Sequence, residues 1–327
     1  MGYGNTLRTY IHGGIYEIGF RTEEGLPFVC TPYMEAILMG VLATACSMYG
    51  MVLIGFIVMG NHLHMIVRVD DPQAIPAAVG YFKRETSHAI NNLQGNRRKT
   101  VWQEGYLSVP ILDFESAMNR LVYLYSNPAK SDLEVSVEAY PGLSSWKALT
   151  EGQTTFRGRR IPRETIPELP QRQMTHDEEV LLTEQLLKRA YPEEQIEIEP
   201  LGFIDAFEEG RYVDREKVRA DLIERVRSAE AGFARGRKTP VLGAIALRCA
   251  SIRAAFKPKK FGKRIWCFAA TKEKRARFMA WMAERLATRQ RLKDTLPFEE
   301  FIRYLPEGFF APGGYLRANI NPLLVPF

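Results

Sequence analysis

The feature that most constrains the fold is a largely apolar segment, residues 51–69, interrupted by Gly60-Asn61. Gly and Asn tolerate the positive φ of tight turns, so the segment predicts two strands joined by a hairpin. Side chains alternate between faces along a strand, so His62 and His64 project to the same side. The other side is uniformly apolar and is predicted to face the core through Leu63, Met65, Val67 and Val69.

Two imidazoles side by side at the start of a strand make half of a metal site, because neutral imidazole is a good ligand for divalent cations. An isolated pair of this kind is equally compatible with surface or hydrogen-bonded histidines. His62 and His64 alone leave both interpretations open.

A second informative segment begins near Asp113, a plausible N-cap, and is predicted to be a helix that cannot continue past Pro128. Its apolar positions fall at helical spacing and predict a buried stripe formed by Met118, Leu121, Val122 and Tyr125. Tyr123 falls on the polar face, with Asn127 one turn further along. Tyr125 is therefore predicted to pack, whereas Tyr123 is available for chemistry or is simply a surface residue.

Three motifs occur in a specific order: Met59-Gly-Asn-His-Leu-His64, Trp102-Gln-Glu-Gly-Tyr106 and Tyr123-x-x-x-Asn127-Pro128. Together they resemble the signatures of the REP-associated tyrosine transposases, which are single-tyrosine HUH endonucleases related to the transposases of small insertion sequences. The resemblance covers about the first 145 residues. The chain departs from the family at Gly60, where proline is common, in a loose segment at 129–133, and in a longer tail.

The resemblance implies a metal-dependent endonuclease and strand transferase that acts on single-stranded DNA, with hairpin DNA such as a REP element as its partner. Tyr123 would be the nucleophile and would form a 5′-phosphotyrosine. His62, His64 and Asn127 would hold Mg²⁺ or Mn²⁺. A second hypothesis keeps the same scaffold as a hairpin-binding or regulatory protein in which cleavage is lost or incidental.

Charge is unevenly distributed: residues 1–149 carry a net charge of −2 and the remaining residues +8. Residues 231–272 contain no acid, and aromatic residues are interleaved with their basic ones, which favours nucleic-acid contact over a solvated loop. The candidate DNA-binding residues, from both halves of the chain, are Lys83, Arg84, Arg97, Arg98, Lys99, Arg120, Lys257, Lys259, Lys260, Lys263 and Arg264.

The order of predicted elements indicates an α+β fold in residues 1–149: an antiparallel, RRM-like sheet with helices, which is the sheet that the resemblance implies. Residues 150–175 are predicted to be a linker. Residues 176–327 are predicted to be a mostly α-helical, basic domain that could bind DNA. The elements expected are strands at 15–21, 51–69 and 101–112, and helices at 32–49, 72–93, 176–189, 215–227, 239–255 and 271–289.

The absence of charged residues from 36 to 61 raises the possibility of a membrane helix, but glycines interrupt it and the second half follows the hairpin pattern. A buried helix that leads into a strand is the better interpretation. The four cysteines have no metal-like spacing. The protein is expected to be cytoplasmic, bacterial and nucleoid-associated, and to act without a membrane, either as a monomer or as a homodimer.

Overall fold

A computed structural model of the chain describes residue 11 and residues 13–71, 74–95, 99–257 and 265–304. The strands are β1 (Gly14–Arg21), β2 (Met51–Met59), β3 (His62–Val69), β4 (Leu107–Ile111), β5 (Thr155–Arg159) and β6 (Glu193–Glu197). The helices are α1 (Pro32–Tyr49), α2 (Ala74–Gln94), α3 (Phe114–Tyr125), α4 (Asn127–Lys130), α5 (Trp146–Thr150), α6 (His176–Lys188), α7 (Arg215–Gly236), α8 (Ala244–Arg248), α9 (Lys272–Thr295) and α10 (Phe298–Tyr304).

Four strands form one antiparallel sheet in the order β2-β3-β1-β4. Helices cover both of its faces, so the α+β class with an antiparallel sheet is confirmed, as is a mostly helical C-terminal part. In the central pair, Gly19 is opposite His64 and Arg21 is opposite His62. Directly opposed residues share a face of the sheet, so this register places β1 side chains beside both histidines.

The hairpin forms where it was predicted, but the proposed reason for its turn is wrong. Neither Gly60 nor Asn61 has a positive φ. The turn is instead held by the loop after β1, because Phe28 N donates to Gly60 O at 3.0 Å and Thr22 N donates to Asn61 O at 2.8 Å. External hydrogen bonds to the turn carbonyls therefore fix the position at which His62 begins β3.

The strand predicted over residues 101–112 is shorter, because only Leu107–Ile111 forms β4. Trp102 makes a single bridge to Thr22 and its indole is buried, donating to Lys83 O at 3.1 Å. Gly105 then turns the chain with a φ of +72°. The Trp102 motif therefore forms a loop anchored by a core tryptophan rather than a continuous strand.

One face of the sheet packs against α1 and α2, and its core contains the predicted Leu63, Met65, Val67 and Val69. Helix α1 is almost entirely buried in this layer. Across the described parts of the chain, no helix is both long and apolar enough to span a membrane.

The opposite face, which carries the histidines, packs against α3. The predicted stripe is buried at Met118, Leu121 and Tyr125, whereas Val122 is only partly buried and Leu124 takes a core position. Helix α7 covers α3 in turn through Val218, Leu222 and Val226. Helix α3, which carries Tyr123, is thus enclosed between the sheet and a helix from the second half of the chain.

The second half differs from prediction in two places. Residues 155–159, within the expected linker, form β5 and pair with β6 in a two-stranded sheet. The helix predicted over 239–255 is reduced to α8, since Gly243 has a φ of +85° and the preceding backbone pairs elsewhere: Leu242 N donates to Asp132 O at 2.9 Å. Helices α6 and α9 form close to the predicted bounds, and α7 runs on to Gly236.

The proposed division at residue 149 stays a prediction, but the hydrophobic cores on both faces of the sheet cross it. Ile196 and Ile198 belong to the α1–α2 core, and Phe203 and Leu222 belong to the core beneath α3. Removing the second half would therefore expose apolar surface on both layers, so the experiments below use the full chain.

Helix α1 meets β5 at a close backbone crossing that two glycines allow. A Cβ added at Gly40 would lie 2.1 Å from Arg159 O, and one at Gly158 would lie 2.5 Å from Met39 O. At both positions the nearest atoms belong to the backbone, so no flexible side chain can move aside. The crossing therefore requires glycine at both positions.

We expect Gly40→Ala to lower the free energy of unfolding by about 1–3 kcal/mol, because the new methyl group forces α1 and β5 apart. Gly80→Ala is the matched control, since a Cβ on this exposed glycine of α2 meets no described atom within 4 Å. It should raise stability by about 0.5–1 kcal/mol. Urea denaturation of both variants measures the difference, and equal effects would contradict the close crossing.

Candidate active site

The two histidines lie side by side on the α3 face of β3. Their rings are 5.1 Å apart between centroids and nearly perpendicular, with an interplanar angle of 88°. A Cβ added at Gly19 would lie 3.2 Å from His64 Nδ1, so the imidazole of His64 lies directly over this glycine of β1. The absence of a side chain at Gly19 lets the ring settle against the sheet.

Each imidazole has an oxygen near Nδ1. His62 Nδ1 lies 2.7 Å from Asn61 Oδ1, and His64 Nδ1 lies 3.4 Å from Glu17 Oε1 without forming an aligned hydrogen bond. An oxygen near Nδ1 favours the tautomer with its proton on Nδ1, which leaves the lone pair of Nε2 available to bind a metal. Burial, reinforced by the neighbouring His64 and Arg21, lowers the pKa of His62 to about 3, so this ring is neutral at pH 7.

Helix α3 places Tyr123 beside the histidines, with its ring 5.9 Å from that of His64 between centroids. The ring also contacts two cations: Arg120 lies 4.0 Å and Lys130 4.3 Å from its centroid. Tyr125, two residues on, is fully buried and its hydroxyl is 2.9 Å from Ser145 Oγ. Burial raises the pKa of Tyr125 to about 12, although the hydrogen bond with Ser145 opposes the shift.

A buried ion pair connects α3 to the sheet. Arg120 donates to both carboxylate oxygens of Glu17, with Nε–Oε2 at 2.5 Å and Nη2–Oε1 at 2.9 Å. Burial alone would raise the pKa of Glu17, but the neighbouring His64 and Arg120 side chains outweigh it and hold that pKa below its ordinary value. The guanidinium also lies 4.2 Å from the ring centroid of Phe268, so Tyr123 and Phe268 both pack on Arg120.

Asn127 does not share the helix of Tyr123, since α3 ends at Tyr125 and Asn127 opens the short helix α4. Its side chain is buried. Oδ1 is 3.5 Å from Ser131 Oγ, and Nδ2 has no hydrogen-bond partner. Because the two ends of an amide are exchanged by a simple flip, the unpartnered end can equally present an oxygen.

These donors fit a divalent metal ion. Asn127 Nδ2 is a buried polar atom without a hydrogen-bond partner, His62 is neutral, and an oxygen near Nδ1 of each histidine leaves Nε2 for a metal. Within the described ranges, no three His, Cys, Asp or Glu side chains form a group that could hold a metal. The motifs predict the amide of Asn127 as the third protein ligand of a site here.

Sequence reasoning missed three residues of this site: Glu17, Gly19 and Arg21. Arg21 is opposite His62 in the sheet, and burial lowers the pKa of its guanidinium while the nearby Tyr123 raises it. The signal was present, because Glu17 and Arg21 are charged residues at strand spacing within an otherwise apolar segment. Only the pairing of β1 with β3 reveals that they share a face with the histidines.

Several of the predicted DNA-binding residues are already engaged in the fold. Lys83 Nζ donates to Gln103 O at 2.9 Å and to Gly105 O, so it holds the Trp102 loop. Arg84 Nε donates to Glu85 Oε1 at 3.1 Å, and Lys99 Nζ lies 2.6 Å from Glu24 Oε1.

Lys257 is exposed and lies close enough to Glu24 to lower the pKa of that carboxyl, after the larger effect of Lys99. The other predicted contacts lie outside the described residues: Arg97, Arg98, Lys259, Lys260, Lys263 and Arg264. DNA contact by any of these residues stays a prediction.

The candidate active site is formed by an antiparallel sheet that carries a histidine pair and by a facing helix that carries a tyrosine. Residues 27–119 match the family model described as Transposase IS200 like. The match confirms the resemblance to this transposase family and supports transposase as the class of function. Tyr123 and Asn127 lie just beyond the matched residues, so their roles remain proposals.

Two solved structures are similar to parts of the chain. One is a REP-associated tyrosine transposase bound to a REP hairpin, with 16% identity, 46% of this chain and 86% of that chain covered, and a TM-score of 0.37. The other is a candidate transposase from Deinococcus radiodurans R1, with 18% identity, coverage of 37% and 93%, and a TM-score of 0.24. No curated protein matches the chain at a significant level.

We expect Arg120→Met to lower the free energy of unfolding by about 3–5 kcal/mol, because it leaves the Glu17 carboxylate buried without its partner. Adding Glu17→Gln should restore much of that loss, since the charge left behind is then removed. Urea denaturation of the two variants is the measurement. If Arg120 mainly contacts DNA, the single variant would instead lose DNA affinity with little change in stability.

Proposed function

We propose that the protein is a metal-dependent endonuclease and strand transferase that cleaves single-stranded DNA through a 5′-phosphotyrosine. The observation that carries the proposal is the placement of Tyr123 against the His62–His64 pair, with ring centroids of Tyr123 and His64 5.9 Å apart. The family match supplies the coarser conclusion, a transposase.

In the proposed reaction, Tyr123 Oη attacks the scissile phosphorus, the bond from phosphorus to the 3′ oxygen breaks, and the products are a phosphotyrosine and a free 3′-OH. The phenol proton is lost and the leaving oxygen gains one, so the exchange is balanced. A later attack by a second 3′-OH rejoins the strand and releases Tyr123. No nucleotide hydrolysis is required, because the phosphotyrosine conserves the phosphodiester bond energy.

His62, His64 and Asn127 would hold Mg²⁺ or Mn²⁺, which neutralises the phosphate and stabilises charge that develops on its oxygens. All three ligands are uncharged, so the site keeps its affinity for anionic phosphate oxygens. Arg21, opposite His62 in the sheet, adds positive charge at the same edge. Arg120 and Lys130 both contact the ring of Tyr123 and help to hold it near His64.

The proposed substrate is single-stranded DNA next to a hairpin, as the three motifs imply. Contact with the phosphate backbone is assigned to the acid-free stretch 231–272, of which Lys257 is an exposed member. Part of this stretch already serves the fold: Arg237 pairs with Asp132 at 2.8 Å, and Arg253 donates to Leu169 O at 2.9 Å.

The second hypothesis, a hairpin-binding protein without cleavage, predicts binding without a covalent product. The buried amide nitrogen of Asn127, which has no hydrogen-bond partner, favours cleavage, because a pure binder gains nothing from an orphaned polar group. The following two experiments separate the two hypotheses.

We expect Tyr123→Phe to abolish SDS-stable protein–DNA adducts on a pool of hairpin-bearing oligonucleotides with Mn²⁺. Tyr125→Phe is the matched control and should keep adduct formation, at a stability cost of about 1 kcal/mol for its hydrogen bond to Ser145. Ser145 Oγ retains Phe56 O as an acceptor at 3.2 Å, so the control leaves no new orphan. Adducts that persist in Tyr123→Phe would overturn the assignment of the nucleophile.

His62→Ala and His64→Ala should each eliminate cleavage while DNA binding is largely retained, because binding rests on phosphate contacts elsewhere. Cleavage by the wild type should stop in EDTA and return with Mn²⁺ or Mg²⁺. Gel-based adduct assays and binding isotherms on the same oligonucleotides give both readouts. Full activity in chelator would show that the two histidines serve the fold alone.

Replacing Lys257, Lys259, Lys260, Lys263 and Arg264 with Gln should weaken DNA binding and flatten its salt dependence. Each lost phosphate contact lowers the slope of log affinity against log salt by about one. Lys188→Gln with Arg189→Gln, exposed at the end of α6, is the control and should leave the slope unchanged. Equal slopes for the five-fold variant and the wild type would remove this stretch from the DNA interface.

A further inference from the structure

A pocket with a volume of about 360 Å³ opens beside His62. One end is polar and is formed by Arg21, Asn61, His62 and Ser131. This end includes His62, one of the proposed metal ligands, and Arg21, which lies near Tyr123. Whatever occupies the pocket must therefore tolerate, or carry, a negatively charged group at that end.

The rest of the pocket is apolar. Its inner part includes the buried Phe28 and Leu247, and its rim is formed by Leu242 and Phe256. These two rim side chains are large yet 55% and 46% exposed. An apolar body joined to an anionic end would match both parts of the pocket.

The second half of the chain builds one wall, and hydrogen bonds hold it in place. Leu242 N donates to Asp132 O at 2.9 Å and Gly243 N to Leu133 O at 3.0 Å, directly after the helix that carries Asn127. Gly25 N donates to Phe256 O at 2.6 Å, which joins the other end of this wall to the loop after β1. The pocket is thus a built feature of the fold.

We propose that this pocket takes the unpaired nucleobase of a nucleotide joined to the scissile phosphate, an inference that rests on the proposed function. A phosphate held at Arg21 and His62 brings an attached base to the pocket mouth, and a base is a flat body that apolar and aromatic side chains accept. The volume lies in the range of small-molecule sites. A base in a duplex is stacked and paired, so the pocket selects single-stranded DNA at the cleaved step.

The test uses the full-length protein and begins by locating the cleaved bond. Covalent adducts formed on the hairpin pool with Mn²⁺ are sequenced, and the preferred oligonucleotide is then made with an abasic residue on either side of the cleaved phosphate. We expect kcat/KM to fall roughly 5- to 150-fold for one of the two abasic substrates, the range that the loss of one stacked base produces. An abasic residue three nucleotides away is the control for each.

The variant Leu242→Ala/Phe256→Ala tests whether the base effect comes from this pocket. It should slow cleavage of the intact substrate but have little further effect on the sensitive abasic substrate, because both changes remove the same contact. Ile245→Ala/Tyr212→Ala removes comparable exposed side chains that do not line the pocket and should behave as wild type. Thermal melts confirm that each variant is folded.

The outcomes are distinct. Intact and abasic substrates that are cleaved at equal rates would overturn the inference and leave the proposed function standing. A base effect that is undiminished in Leu242→Ala/Phe256→Ala would also overturn it, because the effect would then come from the conformation of the DNA or from another surface of the protein. No adduct with the wild type would overturn the proposed function, and this inference with it.

Discussion

The ion pair between Glu17 and Arg120 is the interaction on which the site geometry depends, because it fastens the helix of Tyr123 to the sheet of the histidines. Glu17 lies on β1, 3.4 Å from His64 Nδ1, and Arg120 lies one turn before the tyrosine whose ring it contacts. The pair is buried, and a buried carboxylate is stable only while its partner stays in place. A shift of α3 would therefore both break the ion pair and move Tyr123 away from His64.

The second half of the chain stabilises this arrangement at both edges of the sheet. Phe268 pairs beside β4, with Leu112 N donating to Phe268 O at 2.9 Å, and its ring covers Arg120. At the other edge, Glu199 N donates to Leu53 O at 2.8 Å. Exposed strand edges attract non-native pairing, so covering them protects the sheet. Through these contacts the second half is part of the same packed unit as the sheet and α3, which carry the histidines and Tyr123.

The sequence predicted local features well where the spacing of apolar residues within one strand or helix decides the outcome. The hairpin, the apolar face of β3 and the different burial of Tyr123 and Tyr125 all follow from alternation or helical spacing within one element. Prediction failed where hydrogen bonds to backbone far along the chain decide the local structure. Thr22 and Phe28 hold the turn of the hairpin in this way, and the hydrogen bond from Leu242 to Asp132 shortens α8. Glu17 and Arg21 were missed for the same reason, because their significance lies in the register between β1 and β3.

The electrostatics of the site favour an anionic substrate. Its proposed metal ligands are uncharged, and the one buried acid nearby, Glu17, is already neutralised by Arg120. Arg21 and Lys130 adjoin the same space from the sheet and from α4. A phosphodiester would supply the missing negative charge, with its base directed toward the apolar pocket.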